Sequence, residues 1–320
     1  MTEEHFYRAI NTATGKADLT LLVADFFDPE GSFGPNWADL INGPGAHGDG
    51  IHLLVNKADL IPPKTPQEEI QNLLADLWRQ RFPGIKLAGV RAVSAHDPKG
   101  LGSLLKEMRG LKAALIGAAN VGKSSLLVKI MTQNSRRTAR KAPTISSFPG
   151  TTQGITHWHI PSLQLELADT PGIIPHTRMG DQLCPECSGR LLPRRRLQTK
   201  LWEIPTETAV LFGDLACVWS ESARPFTAAF FTSEALTLHR TNKKKGEALL
   251  AESPQWLRAI CTEDRRKLVF REQVFTVQPG EDLYISGLGW MAVKKETAHL
   301  RLRVAVGVET GVRPTLIGKK

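Results

Sequence analysis

Residues 117–124 read Gly-Ala-Ala-Asn-Val-Gly-Lys-Ser, a G-x-x-x-x-G-K-[ST] run set directly after the apolar residues 113–116 and at the head of a helical pattern. In a strand, turn and helix of this kind the backbone N–H groups of the turn and the helix N-terminus converge on one spot, where they can wrap a phosphate chain. Gly117, Asn120, Val121, Gly122, Lys123, Ser124 and Ser125 are therefore the expected phosphate-binding residues. Lys123 would reach the terminal phosphates and the Ser124 hydroxyl would bind Mg²⁺. The first half of the chain supplies the α/β setting that such a loop needs. Short apolar runs at 19–24, 51–55, 88–93, 113–116, 155–160 and 163–168 alternate with helical patterns at 65–81, 101–108 and from 123 onward. In the first of these helices Ile70, Leu73, Leu74, Leu77 and Trp78 share one face, Pro66 suits the first helical position, and Thr65 with Glu68 has capping-box spacing.

About fifty residues after the phosphate loop, the run 163–168 leads into Asp169-Thr170-Pro171-Gly172. An acidic residue ending a strand beside the loop can hold Mg²⁺ through water, and the Gly172 N–H can meet the terminal phosphate. The base is read elsewhere, at Asn56-Lys57-Ala58-Asp59 after the run 51–55. The Asp59 carboxylate can accept hydrogen bonds from N1 and N2 of guanine, whereas adenine, lacking both donors, would leave that charge unpaired. The expected ligand is GTP. Lys57 would lay its stem along the base or ribose, and Asn56 would tie this loop to the phosphate-binding segment. Val93-Ser94-Ala95 completes the pocket, with the Ala95 N–H facing the guanine O6.

The guanine pieces at 56 and 94 precede the phosphate pieces at 117, 152 and 169, the reverse of an ordinary GTPase, so the motif order is circularly permuted. In consequence, the segment after Gly172 runs into the second half of the chain instead of back into the sheet. That half has a different texture, with β-rich runs at 227–231, 236–239, 274–277, 283–286 and 300–306 and a helical stretch near 246–259. The expected fold is an α/β P-loop GTPase domain over 1–175, a switch-linked connector over 176–210 and a smaller α+β domain over 211–320. Charge divides with it. Of the net +9, residues 176–320 carry 23 Lys+Arg against 16 Asp+Glu, while residues 1–175 carry 18 against 16. The excess is concentrated at 194–196, 243–245 and 265–267, with a smaller basic run over 136–141 in the first half, and suggests a polyanionic partner for the second domain. At 41% hydrophobic and 23% charged the composition excludes a disordered or fibrous chain. No run approaches the ~18 apolar residues of a membrane span, and the opening lacks the pattern of a secretory signal, so an intracellular protein is expected.

These motifs resemble the YqeH-type circularly permuted GTPases. In the first half the likeness is carried by Val23-Ala-Asp25-Phe-Phe-Asp28-x-x-Gly31-Ser32, Asn56-Lys-Ala-Asp-Leu-Ile-Pro62, Asn120-Val-Gly-Lys-Ser124, Phe148-Pro-Gly-Thr-Thr152 and Asp169-Thr-Pro-Gly-Ile173. In the second half it is carried by Phe212-Gly-Asp-Leu-Ala216, Leu236-Thr-Leu-His-Arg-Thr241 and Ser286-Gly-Leu-Gly-Trp290. The resemblance implies GTP hydrolysis in assembly of the small ribosomal subunit, with nucleotide state passed to a basic C-terminal domain that binds rRNA. Lys123, Thr152 and Gly172 are the implied catalytic residues. Thr152 matches the threonine that closes on Mg²⁺ with Ser124 and Asp169. Ile173 stands where many GTPases place a water-orienting glutamine, which implies slow intrinsic turnover. Asn120 matches the asparagine that lets some relatives hold K⁺ beside the phosphates. Two other readings remain open: a regulatory switch whose C-terminal domain binds a protein, and a GTP-binding RNA chaperone with negligible hydrolysis. The cytoplasm is the expected compartment, or an organelle if residues are missing upstream of Met1. Oligomeric state is left open.

Members of that family carry an N-terminal cysteine-rich zinc finger, and this chain has no cysteine before Cys184, which implies a shortened lineage or a truncated gene. Cys184-Pro-Glu-Cys187 supplies only half of a tetrahedral site, and Cys217 and Cys261 stand alone in the sequence, so zinc is not expected. Asp25 and Asp28 suit either the nucleotide pocket or turn capping. Gly287-Leu-Gly-Trp290 suits a tight turn with a packed indole better than an indole stacked on RNA bases. His157 and His159 alternate along a strand as residues of a solvent face do.

Overall fold

The computed structural model describes residues 3–34, 50–63, 65–97, 100–134 and 154–318. These form two compact units, Met1–Ile61 with Pro66–Pro175, and His176–Lys320 with Pro62–Thr65.

The first unit is built on a six-stranded sheet in the order β3-β2-β1-β4-β6-β5, with β1 Leu19–Asp25, β2 Ile51–Asn56, β3 Leu87–Ala92, β4 Lys112–Gly117, β5 Thr156–Ile160 and β6 Leu165–Asp169. All pairings are parallel except β5 with β6. Parallel strands need crossovers and are buried on both faces, which is why β1, β2 and β4 read as unbroken apolar runs and not as alternating ones. The helices are α1 Glu3–Thr14, the single turn α2 Pro29–Ser32, α3 Gln67–Arg81, α4 Leu101–Glu107 and α5 Lys123–Asn134. In α3 Ile70, Leu73, Leu74 and Trp78 are buried as their spacing predicts, and the Trp78 ring meets Phe82 and Phe33 at 4.7 and 5.7 Å. The capping box does not form there. Extended Pro66, with ψ 127°, occupies the N-cap position and offers no side-chain acceptor, so the helix starts past Thr65. His157 and His159 lie on the exposed face of β5 as expected.

The register decides where the loops fall. Asp25 pairs with Asn56, Val23 with Gly117, Val55 with Ala92 and Leu115 with Asp169. The carboxyl ends of β1, β2, β3, β4 and β6 therefore line one edge of the sheet, which is where open α/β sheets bind ligands.

The second unit is β-dominated, with two five-stranded antiparallel sheets ordered β16-β13-β14-β10-β7 and β11-β8-β9-β15-β12. Their strands are β7 Lys200–Ile204, β8 Thr208–Phe212, β9 Ala216–Ser220, β10 Phe226–Thr232, β11 Leu238–Asn242, β12 Phe270–Val277, β13 Glu281–Ile285, β14 Gly289–Lys295, β15 Ala298–Ala305 and β16 Thr310–Pro314. Three short helices accompany them, α6 Pro185–Leu191, α7 Lys243–Glu252 and α8 Thr262–Lys267. Inward residues of both sheets share one core: Val210, Phe212 and Val218 meet Phe230, Leu283 and Met291, as in a sandwich. Along β15, Leu300, Leu302 and Val304 point inward, while Arg301 points outward and pairs with Glu221 at 2.7 Å. The stretch expected as a connector contributes Met179, Cys187, Leu191, Ile204 and Val210 to this core.

Two of the family-like motifs of this unit, at 212–216 and 286–290, serve packing. Asp214, fully buried in the β8–β9 turn, accepts from Ser253 Oγ at 2.8 Å and the Ala259 N–H at 2.9 Å and faces Arg265 Nε at 3.7 Å. Trp290 is fully buried, stacked on Phe231 at 5.0 Å with the Arg313 guanidinium 5.1 Å from its ring, so the packed reading of that indole holds. Arg313 also pairs with buried Asp282, whose Oδ2 accepts from the Leu316 N–H at 2.9 Å; burial pushes that carboxyl above the usual range.

Candidate functional site

The phosphate loop spans the β4 end and the first turn of α5. Gly122 has φ 93°, and a Cβ there would collide with Asn56 Nδ2, so only glycine lets the two loops meet. Asn56 uses that closeness to donate from Nδ2 to the Val121 carbonyl at 2.8 Å, and the guanine and phosphate loops are tied as expected. Asn120 adopts φ 64°, turning the chain into the loop; Ser124 and Ser125 follow, half-buried, in α5. Lys123 is buried, and its Nζ donates to the carbonyls of Gly117 and Ala118 at 2.7 and 3.0 Å.

Beside it, the end of β6 closes the phosphate side. Ser124 Oγ lies 3.4 Å from Asp169 Oδ2, and Asp169 Oδ1 is buried with no protein hydrogen bond. Burial raises the Asp169 carboxyl above its usual range, against the opposing pull of Lys123 and the Ser124 hydroxyl. A hydroxyl and a buried carboxylate, one oxygen of it unbonded, are hard donors that fit Mg²⁺. Ile173 pairs with the phosphate loop, its N–H donating to the Gly117 carbonyl at 3.3 Å and its own carbonyl accepting from Ala119 at 2.6 Å. Gly172 is held so close that a Cβ would sit 2.8 Å from the Ala119 Cα and 3.0 Å from Lys123 Nζ. Thr152 and the run 148–152, like the basic run 136–141, lie outside the described residues.

On the base side Lys57 has φ 63°, and its Nζ pairs with Asp25 Oδ2 at 2.5 Å. Asp25 Oδ1 meanwhile accepts from the Phe27 N–H at 2.9 Å, and Asp28 caps α2 through the Gly31 N–H at 3.3 Å. Both readings of these aspartates are thus present: Asp28 caps a turn, and Asp25 anchors the lysine of the base loop. Nothing in the local pattern singled out Asp25 for that part, because its partner lies 32 residues away, just past the end of the neighbouring strand. Asp59 is brought to Ser94, whose hydroxyl donates to Asp59 Oδ1 at 2.5 Å while accepting from the N–H groups of His96 and Asp97 at 2.9 and 3.1 Å. The Ala58 N–H donates to the Val93 carbonyl at 3.0 Å, holding the strand ends together, and Ala95 is half-buried next to them.

Five strand ends so bring together the Asp59 carboxylate, a buried lysine, a glycine-rich loop and a Mg²⁺-fitting pair. Together they define a P-loop GTPase domain with permuted motif order. Residues 112–189 match the family model of the 50S ribosome-binding GTPase, and residues 225–316 match the YqeH-like C-terminal domain. The chain thus carries a GTPase domain followed by a YqeH-like C-terminal domain. It is 26% identical to YqeH of Bacillus subtilis over 99% of this chain and 86% of that one. To the NO-associated protein 1, chloroplastic/mitochondrial, of Arabidopsis thaliana it is 25% identical over 93% of this chain, spanning 61% of that protein. To the small ribosomal subunit biogenesis GTPase RsgA of Gemmatimonas aurantiaca it is 31% identical over 40% of this chain and 38% of that one.

One expectation needs revision. Cys261 does not stand alone: with Asp264 it lies against Cys184 and Cys187, the four ligand atoms all within 4.8 Å of one another. Cys217 is elsewhere, buried among Ala209, Leu211 and Trp219, and burial drives its thiol pKa far upward.

Proposed function

We propose that the chain binds and hydrolyses GTP in ribosome biogenesis, and that nucleotide state is passed to the basic second unit, which binds rRNA of the small subunit. The observation that carries the reading is the convergence of Asn56, Asp59, Ser94, Lys123, Ser124 and Asp169 on one sheet edge. The names of its relatives, among them a small-subunit biogenesis GTPase, direct that chemistry toward the ribosome.

In this reading Asp59 accepts from guanine N1 and N2, held ready by Ser94, and the Ala95 N–H meets O6. Lys57, steadied by Asp25, lies along the base or ribose. Lys123 leaves the carbonyls of Gly117 and Ala118 for the β- and γ-phosphates, and the Gly172 N–H contacts the γ-phosphate. Mg²⁺, when bound by Ser124, Asp169 and Thr152, neutralises charge developing on the phosphates. Ile173 offers no group to orient water, so intrinsic turnover is slow. Asn120 would hold K⁺ in the loop, and faster hydrolysis in K⁺ than in Na⁺ buffer is the expected sign; equal rates remove that part.

Transmission rests on chain continuity. Ile173 is bonded to the phosphate loop, and three residues later His176 opens the second unit, where the Met179 N–H donates to the Ser286 carbonyl at 2.9 Å. The net +7 of residues 176–320 supports a polyanion as partner. Arg194, Arg195 and Arg196, together with Lys244 and Lys245, are exposed. The third basic run is spent internally: Arg265 donates to the Leu250 carbonyl at 2.6 Å, and Lys267 pairs with Glu263 at 3.0 Å. Among the described residues no helix is long and apolar enough to cross a membrane. The proposed compartment is that of the ribosomes served, cytoplasm or organelle.

Co-sedimentation with small ribosomal subunits, with a non-hydrolysable GTP analogue or GDP and across a salt series, tests the proposal. Binding favoured by the analogue and falling steeply with salt is expected. No binding in either state sinks it, and binding indifferent to salt points to a protein partner.

A further inference from the structure

Helices α6 and α8 begin alike. Cys184 is the N-cap of α6 and Cys187 its third residue; Cys261 is the N-cap of α8 and Asp264 its third residue. Each C-x-x-[C/D] tetrapeptide bends its two side chains toward the same point. The two tetrapeptides face each other, with three sulfurs and a carboxylate oxygen all mutually within 4.8 Å. Ligands held at a Zn–S distance of about 2.3 Å stand about 3.8 Å apart in a tetrahedron, so small side-chain rotations close the set.

The surrounding bonds already orient the four. The Cys261 N–H donates to Cys187 Sγ at 3.2 Å, the Asp264 N–H to Cys261 Sγ at 3.4 Å, and the Cys184 N–H to Asp264 Oδ2 at 2.8 Å. Donors aimed at sulfur and carboxylate oxygen are the outer shell that thiolate metal sites use. Asp264 and Cys187 are 3% and 2% exposed. The cation next to the carboxylate is Lys267 Nζ, 4.0 Å away on an exposed side chain. A carboxylate buried among thiols is costly unless it is paired or coordinates a metal.

We propose that Cys184, Cys187, Cys261 and Asp264 bind one tetrahedral zinc ion. Three thiolates and one oxygen make a closed set of borderline-soft ligands, which suits a structural zinc and leaves no position for a substrate. The ion joins residues 184–187, eleven residues past Ile173, to the start of α8. It fastens the beginning of the second unit to the rest of that unit. The inference goes beyond the proposed function and stands without it.

The test is metal analysis of the full chain purified without chelator, with fluorescent-GDP binding measured on the same samples. About one zinc per chain is expected, released by a thiol-blocking mercurial. Cys261→Ser and Asp264→Ala should each lower zinc content or affinity at least about tenfold, while Cys217→Ser keeps it. Should the site variants be insoluble, wild-type chain reconstituted with Co²⁺ decides by its spectrum: thiolate charge-transfer bands with intense tetrahedral d–d bands support the site, and octahedral aqua-type bands reject it. Wild-type chain that is metal-free, binds GDP and unfolds at the same temperature with or without added zinc overturns the proposal. So does a Cys261→Ser chain that retains its zinc in full. GDP binding reports the nucleotide pocket separately, so loss of one property with the other intact shows which reading has failed.

Discussion

In the first unit the buried polar side chains gather at an open sheet edge; in the second they are enclosed between elements. Lys123 is satisfied by two carbonyls of its own loop, and Asp169 keeps one buried oxygen without a protein partner. Asp214, by contrast, has both oxygens met, by the Ser253 hydroxyl and the Ala259 N–H, and faces Arg265. A buried charge with incomplete partners is costly, and it persists where a ligand completes it. A buried charge with complete partners positions loops. The same residue types are therefore left open at a sheet edge in one unit and closed into the packing in the other.

Substitutions can break this contrast, and the largest effect belongs to the first unit. Lys123→Ala should lower GTP turnover by about 10²–10³-fold, read by phosphate release, with the melting temperature little changed. Asp59→Asn should weaken GTP by about 100-fold, since the amide presents a donor to guanine's donors; fluorescent-nucleotide titration measures it. In the second unit Asp214→Ala should leave nucleotide affinity intact and cost about 3 kcal/mol, a melting shift of roughly 6–12 °C for a unit of that size by calorimetry. If instead it abolishes GTP binding and spares stability, the contrast is false. Replacing Arg194, Arg195 and Arg196 together by alanine should flatten the salt dependence of ribosome binding by about 2–3 in log–log slope and leave GTP turnover without ribosomes unchanged.

The smallest effect concerns pH. Burial raises the Asp169 carboxyl, so the folded chain holds that proton more tightly than the unfolded one. Its contribution to the stability of nucleotide-free protein is fully present below the unfolded value of about 4 and is lost as pH rises through the raised folded value. Mg²⁺ affinity should run the opposite way, falling as pH drops through the same window. Calorimetry of Mg²⁺ binding across pH checks both, with Asp169→Asn removing the dependence.

The nucleotide unit was legible because its signals are local. A glycine-rich turn between strand and helix, or an Asn-Lys-Ala-Asp after an apolar run, sets the backbone over a few residues, and the groups gathered at the sheet edge are those residues themselves. The strand starts and ends agreed to within a residue or two, since buried parallel strands are continuous apolar runs. The second unit was harder to read. Strands β7, β8, β9, β14 and β16 were not expected, and in the anticipated α+β domain the helices accompany a sandwich, some of whose strands pair across long separations. Alternation in β15 is visible in sequence, but its partners β9 and β12 can be found only in space.

From the residues alone came the permuted order, the guanine and phosphate chemistry and the division of charge, because each depends on residue identity over short spans or on simple counting. Tertiary structure alone decided which distant groups meet. Asp25 meets Lys57 across 32 residues, Asp214 meets Ala259 across 45, and Cys187 and Cys184 meet Cys261 and Asp264 across 74 and 80. A cysteine pair read as half a site, and a cysteine read as solitary, became four facing ligands because folding brings two helix starts together. Sequence spacing carries no trace of such a meeting when the chain between is a sandwich.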